Sequence, residues 1–203
     1  MTEIGLFVLN LVLVPSERVP LHIFEDRYKE LIGECLDQEG EFGLLLAEKT
    51  ELHTVGTSAA VIEVLNRYED GRLDVVVEGR DRFRVTKITE GHSYMSAEVQ
   101  SFEDDETGAD PALVSACKES LEHLASAAGT DPAALEVSGE NVAWQIASHV
   151  DFGPELKQQL LEMRAENERL ERLAEALEEA AALVTTQREI KQRAAGNGKV
   201  DHL

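Results

Sequence analysis

At 203 residues, with 43% apolar content and a formal net charge of −21, the chain holds enough hydrophobic material for one sizeable core or two small subdomains, which excludes wholesale disorder. The charge opposes binding to a phosphate backbone, because affinity for nucleic acid rests on cationic side chains that release counterions. No run approaches the roughly 18 apolar residues of a membrane span, and Glu3 stands where a signal peptide would be basic, so a cytoplasmic protein that meets neither membrane nor nucleic acid is expected.

Ile4 to Leu9 is almost wholly apolar and reads as a buried strand, and Leu11 to Val14 reads as a second one, ended by Pro15 and Ser16. Pro20 is placed to begin a helix over residues 22 to 38. Its apolar positions Phe24, Tyr28, Leu31, Ile32, Cys35 and Leu36 recur at three and four residues, and Gly40 ends it. Phe42 to Ala47 and Val55 to Leu65 are further strand candidates. Asp70-Gly71 is a dipeptide that tolerates positive backbone dihedrals, so Ile62 to Leu65 and Leu73 to Val77 should pair as a hairpin. Gly79, Gly91 and the alternation of Met95, Ala97 and Val99 with Ser96, Glu98 and Gln100 add two more strands. The first hundred residues thus suit a small curled sheet or open barrel with one inserted helix.

Residues 105–111 are an acidic connection with Gly108 and Pro111, and they divide a strand-rich part, 1–104, from a helical part, 112–203. Beyond them Leu113, Cys117, Leu121 and Leu124 form one helical stripe and Val142, Ile146 and Val150 another, with Trp144 and Phe152 as larger pieces. Pro154 fits a first helical turn. A last helix runs from about Ala165 to Arg193 with Leu170, Leu173, Leu177 and Val184 inward and a charged flank that includes Arg169 and Arg172 facing solvent. Gly196-Asn197-Gly198 should end it before a short mobile tail. Alanines thin this stripe, so packing within the chain is favoured over a coiled-coil arm, and a monomer or weak dimer is expected.

Several ordered motifs carry a family resemblance. Val8-Leu9-Asn10-Leu11-Val12-Leu13-Val14-Pro15 and Val19-Pro20-Leu21-His22-Ile23-Phe24-Glu25-Asp26-Arg27-Tyr28 come first, then Val55-Gly56-Thr57, Asp70-Gly71-Arg72-Leu73, Val75-Val76-Val77-Glu78-Gly79 and Arg82-Phe83-Arg84-Val85. Lys157 to Glu162 and Arg169 to Leu173 follow in the second half. Together they resemble the substrate-binding domain at the N-terminus of Lon-type ATP-dependent proteases, a domain that also occurs in cereblon and as a free-standing small protein. Ser16-Glu17 departs from the family, which often has a glycine after the proline. The resemblance implies an α+β fold: a PUA-like, strand-rich pseudo-barrel with one inserted helix, then a helical bundle ending in a long helix. It also implies a non-catalytic protein-binding module, without ATPase or protease domains, whose partners are unfolded or client polypeptides, with a protease as an open further partner.

The residues offer little catalytic chemistry. No phosphate-cradling Gly-x-x-x-x-Gly-Lys-Ser/Thr loop occurs, and the histidines, His22, His53, His92, His123, His149 and His202, show no zinc spacing among themselves or with a Cys-x-x-Cys pair. No cofactor or metal is therefore expected. Cys35 and Cys117 read as reduced, buried thiols. Ser148-His149-Asp151 holds the residue types of a triad, but adjacent helical positions diverge. Ser58, in a stretch faintly like the serine-lysine nucleophile region of Lon, has no lysine placed as its base. Arg80, Arg82 and Arg84 alternate along a strand, and with Arg27 they are the cations expected nearest a client-binding groove between sheet and helices. The competing readings of that arginine row are a solvated edge or pairing with the chain's own acids. Two alternative functions stay open: a small-ligand sensor, as cereblon uses the fold, or an enzyme whose site assembles from scattered residues.

Overall fold

In the computed structural model, which describes residues 2–48, 51–105, 108–131 and 137–197, the elements run β1 (Thr2–Leu9), β2 (Arg18–Ile23), α1 (Asp26–Gln38), β3 (Phe42–Glu48), β4 (Glu51–Leu52), β5 (Val55–Arg67), β6 (Leu73–Thr89) and β7 (Ser96–Ser101), then α2 (Pro111–Ala128), α3 (Val142–His149), α4 (Gly153–Glu162) and α5 (Glu166–Asn197). They form two compact units, one of residues 1–106 with 147–165, the other of residues 107–146 with 166–203. Residues 147–165 belong with the sheet, whereas their helical periodicity alone groups them with the 112–203 half.

In the first unit β1 pairs parallel with β3 and antiparallel with β7, while β3–β5, β5–β6 and β6–β7 pair antiparallel. The pairings close a ring, β1–β3–β5–β6–β7–β1, which is the pseudo-barrel. Adjacent residues of one strand face opposite sides. Leu6, Leu45, Phe83, Ala97 and Val99 make one core cluster. Phe7, Leu44, Val75 and Val77 make another with Tyr28, Leu31 and Ile32 of α1. Buried contact on both faces is why β1 and β3 read as unbroken apolar runs. At Gly56 a Cβ would lie 2.4 Å from the Leu44 carbonyl and 3.0 Å from the Phe83 ring, so only glycine fits there. The hairpin at Asp70-Gly71 forms as its residues require, with Arg67 opposite Leu73 and the Gly71 amide donating to the Tyr68 carbonyl at 3.0 Å. Beyond it β6 continues through Gly79 as one long strand instead of ending there.

The stretch around Pro15 and Pro20 differs from its sequence reading. Residues 11–14 are irregular, although Val12, Leu13 and Val14 are at most 1% exposed. The Val14 amide donates to the Glu17 carboxylate (3.0 Å), the Ser16 amide to the Gly79 carbonyl (2.9 Å) and the Gly79 amide to the Glu17 carbonyl (2.9 Å), so side-chain and long-range bonds replace a ladder. A Cβ at Gly79 would sit 2.3 Å from the Val14 carbonyl oxygen, which makes this approach possible only to glycine. Ser16 takes φ 67°, the left-handed region that favours glycine. Pro20 lies inside strand β2, opposite Val76 of β6, and does not begin a helix. An edge strand tolerates proline because one side of its ladder is unused. The alternation that marks β2 is Val19, Leu21 and Ile23, all turned toward the core cluster. Helix α1 therefore starts at Asp26 and not at residue 22. Its stripe is Tyr28, Leu31, Ile32 and Cys35, and its left-handed cap is Glu39, one residue before Gly40.

Helix α4 is held to the sheet by polar side chains. Lys157 pairs with Glu17 at 2.5 Å with both side chains 8% exposed, and the Gln158 amide donates to the Val55 carbonyl at 3.1 Å. Pro154 lies in its first turn.

In the second unit Asp110 caps α2 by accepting from the Ala112 amide, with Pro111 as the first helical residue. Residues 106 and 107 of the acidic connection lie outside the described residues. α2 runs parallel to α5: Asp110 meets Asn167, His123 pairs with Glu178 at 3.0 Å, and Arg188 donates to the Ala128 carbonyl at 2.6 Å. Cys117, Leu121, Trp144, Ile146, Leu170, Leu173 and Leu177 are its buried apolar residues. Arg169 is not on a solvated flank. It is fully buried, 2.7 Å from Glu166 and 4.4 Å from the Trp144 ring centroid, while Glu166 also accepts from the Ala143 amide. Helix α5 extends through Asn197, past Arg193, and the tail 198–203 lies outside the described residues. Both thiols are free and buried. No described helix is long and apolar enough to cross a membrane.

Candidate functional site

Strand β2 ends on an exposed aromatic residue. Phe24 follows the last strand position and precedes the first turn of α1, so it joins neither the ladder nor the helical stripe, and it is 60% exposed. It borders a slot of about 60 Å³ lined by Phe7, Leu9, Leu21, Ile23, Phe24 and Tyr28, with His22 and Glu25 at the rim. A water-sized group needs about 10–15 Å³, so the slot accepts the end of one aliphatic or aromatic side chain. The Tyr28 hydroxyl is bonded to the Val8 carbonyl at 3.0 Å and its ring stacks on Phe7 at 3.9 Å, which fixes the floor.

The slot is continued by rings on the surface. The His22 ring lies 6.0 Å from Phe24 and 5.9 Å from Tyr68. Asp74 accepts from His22 (2.6 Å) and from the Tyr68 hydroxyl (2.7 Å), and these two bonds, His22 first, hold its carboxyl below the usual range. Ile62 and Leu65 are further exposed apolar side chains on the same hairpin. Among the described residues β2 pairs with β6 alone, so no other strand is paired along its outer edge.

Of the four arginines singled out from sequence, Arg82 and Arg84 share the Phe102 ring, while Arg27 and Arg80 pair with separate acids. Arg27 does not line the slot but contacts two residues that do, pairing with Glu25 at 2.8 Å and lying 4.4 Å from the Tyr28 ring centroid. Arg80 and Arg18 are both held by Glu78, at 2.5 and 2.6 Å. Arg84 is exposed and lies over Phe102 at 4.4 Å. Arg82 has a side chain only 4% exposed, because it donates to the Leu161 and Met163 carbonyls at 2.7 and 2.6 Å and pairs with Asp104. A register shift between β5 and β6 at Thr57/Ala59 interrupts the alternation that would have put Arg80 and Arg82 on one face.

A second, polar cleft of about 260 Å³ is lined by Glu3, Gly5, Glu34, Cys35, Glu41, His92 and Tyr94, among others. Burial, then Glu34 and Glu41, pushes the Cys35 thiol up to about 11. Burial and a hydrogen bond to Glu34 push the Tyr94 phenol well above its ordinary value. Ser148 and His149 are 3.1 Å apart but both belong to one exposed turn, and no described hydrogen bond joins His149 to Asp151.

The slot was missed in sequence because Phe24 fits the helical period. The signal that finds it is the two-residue alternation of Val19, Leu21 and Ile23, which ends the strand immediately before Phe24.

The family model for the ATP-dependent protease La (LON) substrate-binding domain matches residues 3–179. A Lon protease of Parabacteroides distasonis is 27% identical over 202 residues, covering 91% of this chain and 24% of that protein. The Lon protease of Escherichia coli strain K12 is 25% identical over 201 residues, covering 91% of this chain and 25% of that protein. The chain thus spans about a quarter of the length of these relatives. Among solved structures, the Lon N-terminal domain protein from Xanthomonas campestris superposes with TM-score 0.66 at 25% identity, covering 85% of this chain and 97% of the other. The N-terminal domain of Mycobacterium avium complex Lon protease has the same fold, with TM-score 0.67, 19% identity and coverage of 87% and 98%. With the ring of strands, the long terminal helix and a family match over most of its length, the chain belongs to the LON substrate-binding domain family.

Proposed function

We propose that the chain is a non-catalytic module that binds extended, partly unfolded polypeptides in the cytoplasm, inserting an apolar side chain of the client beside Phe24. The observation that carries this reading is an exposed aromatic residue at an apolar slot, placed at the end of a strand with no other strand paired along its outer edge among the described residues. An extended client adds to such an edge through its main chain, whatever its sequence, while the slot selects an apolar side chain. Family membership supports the reading, and the similarity lies in the substrate-binding part of Lon and not in its protease part. Arg27, beside Glu25 and Tyr28 of the slot lining, is the cation nearest the client and modestly raises on-rate for acidic clients, and Arg80 and Arg84 act only weakly, having no contact with the slot lining. The net charge of −21 disfavours nucleic acid as a client. Energy-driven unfolding and cleavage belong to a separate protease in this reading.

Fluorescence anisotropy with a labelled, permanently unfolded casein tests it. Phe24→Ser should weaken binding about thirtyfold, since an aromatic anchor at an interface is worth about 2 kcal/mol or more. Arg27→Glu should weaken it two- to threefold, and Leu183→Ser, an exposed apolar position on α5, should leave it unchanged. Equal binding by the parent and Phe24→Ser, or none by the parent, overturns the proposal.

A further inference from the structure

Glu30 and Glu34 are one turn apart on α1, so both carboxylates leave the helix on the same side. The connection between β6 and β7 brings His92 to that side, and one oxygen of each carboxylate and one ring nitrogen of His92 all lie within 4.8 Å of one another. Metal bonds of about 2.0–2.2 Å set neighbouring donors roughly 3 Å apart, so small rotations of these partly exposed side chains bring the three onto one ion. The backbone does not have to move.

Three further observations distinguish the trio from an ordinary patch of acids. It includes an imidazole, supplied by a different element from the carboxylates. No ion pair neutralises Glu30 or Glu34 among the described residues, so two like charges are held close together without a cation. Each donor is also oriented from behind: Ser93 donates to Glu30 at 2.7 Å, Tyr94 to Glu34 at 2.5 Å, and the His92 ring stacks on Tyr94 at 4.8 Å. Such outer partners fix the ligands of metal sites. Glu34, His92 and Tyr94 also line the 260 Å³ polar cleft, which leaves room for water or an exogenous ligand at the remaining coordination positions.

We propose that Glu30, Glu34 and His92 bind one divalent first-row transition cation of the Zn²⁺ class, with its open positions facing the polar cleft. Two carboxylates and an imidazole suit such an ion better than Mg²⁺ or Ca²⁺, which take oxygen ligands. Histidine and cysteine spacing in the sequence does not show the set, because its single imidazole lies far along the chain from the two acids. The site shares no residue with the lining of the Phe24 slot.

The test is titration of the tag-free, chelator-treated chain with Co²⁺ at physiological salt, followed by visible absorption, and then displacement by Zn²⁺. One Co²⁺ per chain should bind in the micromolar range, be displaced by Zn²⁺, and resist millimolar Mg²⁺. His92→Ala and Glu30→Gln, both at exposed positions, should each lower affinity at least tenfold, as loss of a ligand does. His123→Ala, whose imidazole pairs with Glu178 in the other unit, should not. Zn²⁺ should raise the Tm of the parent and not of His92→Ala. Absence of saturable binding, or binding that His92→Ala leaves unchanged and so assigns to the acidic surface at large, overturns the proposal.

Discussion

Two carbonyls at the end of α4, those of Leu161 and Met163, converge on the guanidinium of Arg82, which Asp104 neutralises. Helix ends leave such acceptors open, and a planar five-donor group satisfies two of them and a carboxylate together. Removing the guanidinium leaves two helix-end carbonyls without their donor and the half-buried Asp104 carboxylate without its cation. Arg82→Ala should therefore cost about 3 kcal/mol, read as a lower urea midpoint at unchanged slope. Arg84→Ala, which loses only its contact with Phe102, should cost under about 1 kcal/mol. A result in which both substitutions cost the same would assign Arg82 no structural role. Arg82 and Arg84 share a face and the Phe102 ring, as the alternation of a strand requires, but the distant carbonyls that bury Arg82 and leave Arg84 exposed are not visible locally. Arg169 is the same lesson on a helix. Its neighbours are charged, yet Glu166 one turn back and the Trp144 ring make a buried place for it.

At the scale of elements, what could be read in advance was what depends on near neighbours. The hairpin at Asp70-Gly71 and the stripe of α1 from Tyr28 onward both rest on contacts within a few residues. Strand β2 and the irregular 10–17 segment were misread, because Pro20 is acceptable only at an edge and Val14 is covered only where β6 lacks a Cβ. Glycine at two positions should therefore behave oppositely. Gly79→Ala forces a Cβ against the Val14 carbonyl backbone and should destabilise by about 2 kcal/mol. Gly33→Ala, inside α1 with nothing within 4 Å of the new Cβ, should stabilise by about 0.5–1 kcal/mol. Thermal denaturation of the two variants distinguishes the signs, and a stabilised Gly79→Ala would refute the close approach. The candidate slot was not legible in the sequence: the reading looked to arginines at a groove between sheet and helices, and Phe24 was assigned to the helix it precedes.

For the whole molecule, the return of residues 147–165 to the sheet decides what folds alone. A fragment of residues 1–104 lacks Lys157, Gln158 and the Leu161 and Met163 carbonyls, so Glu17 loses its cation and Arg82 two of its acceptors. It should melt at least 10 °C below the intact chain or not cooperatively at all, and a peptide of residues 147–165 added in excess should recover part of the loss. A fragment with the parent's Tm would show that α4 is dispensable. The same return has a consequence on the ribosome. The strands emerge first, but the helix that satisfies them follows only after residues 107–146 of the other unit have been made, and that unit in turn waits for α5. Neither unit can be finished while the other is untouched, so the nascent chain matures in an interleaved order and not from one end to the other. A translational stall or a proteolytic cut anywhere between 107 and 146 would strand both halves, releasing a fragment with buried charges uncovered: an unfinished polypeptide of the kind that this family's domains are themselves proposed here to hold.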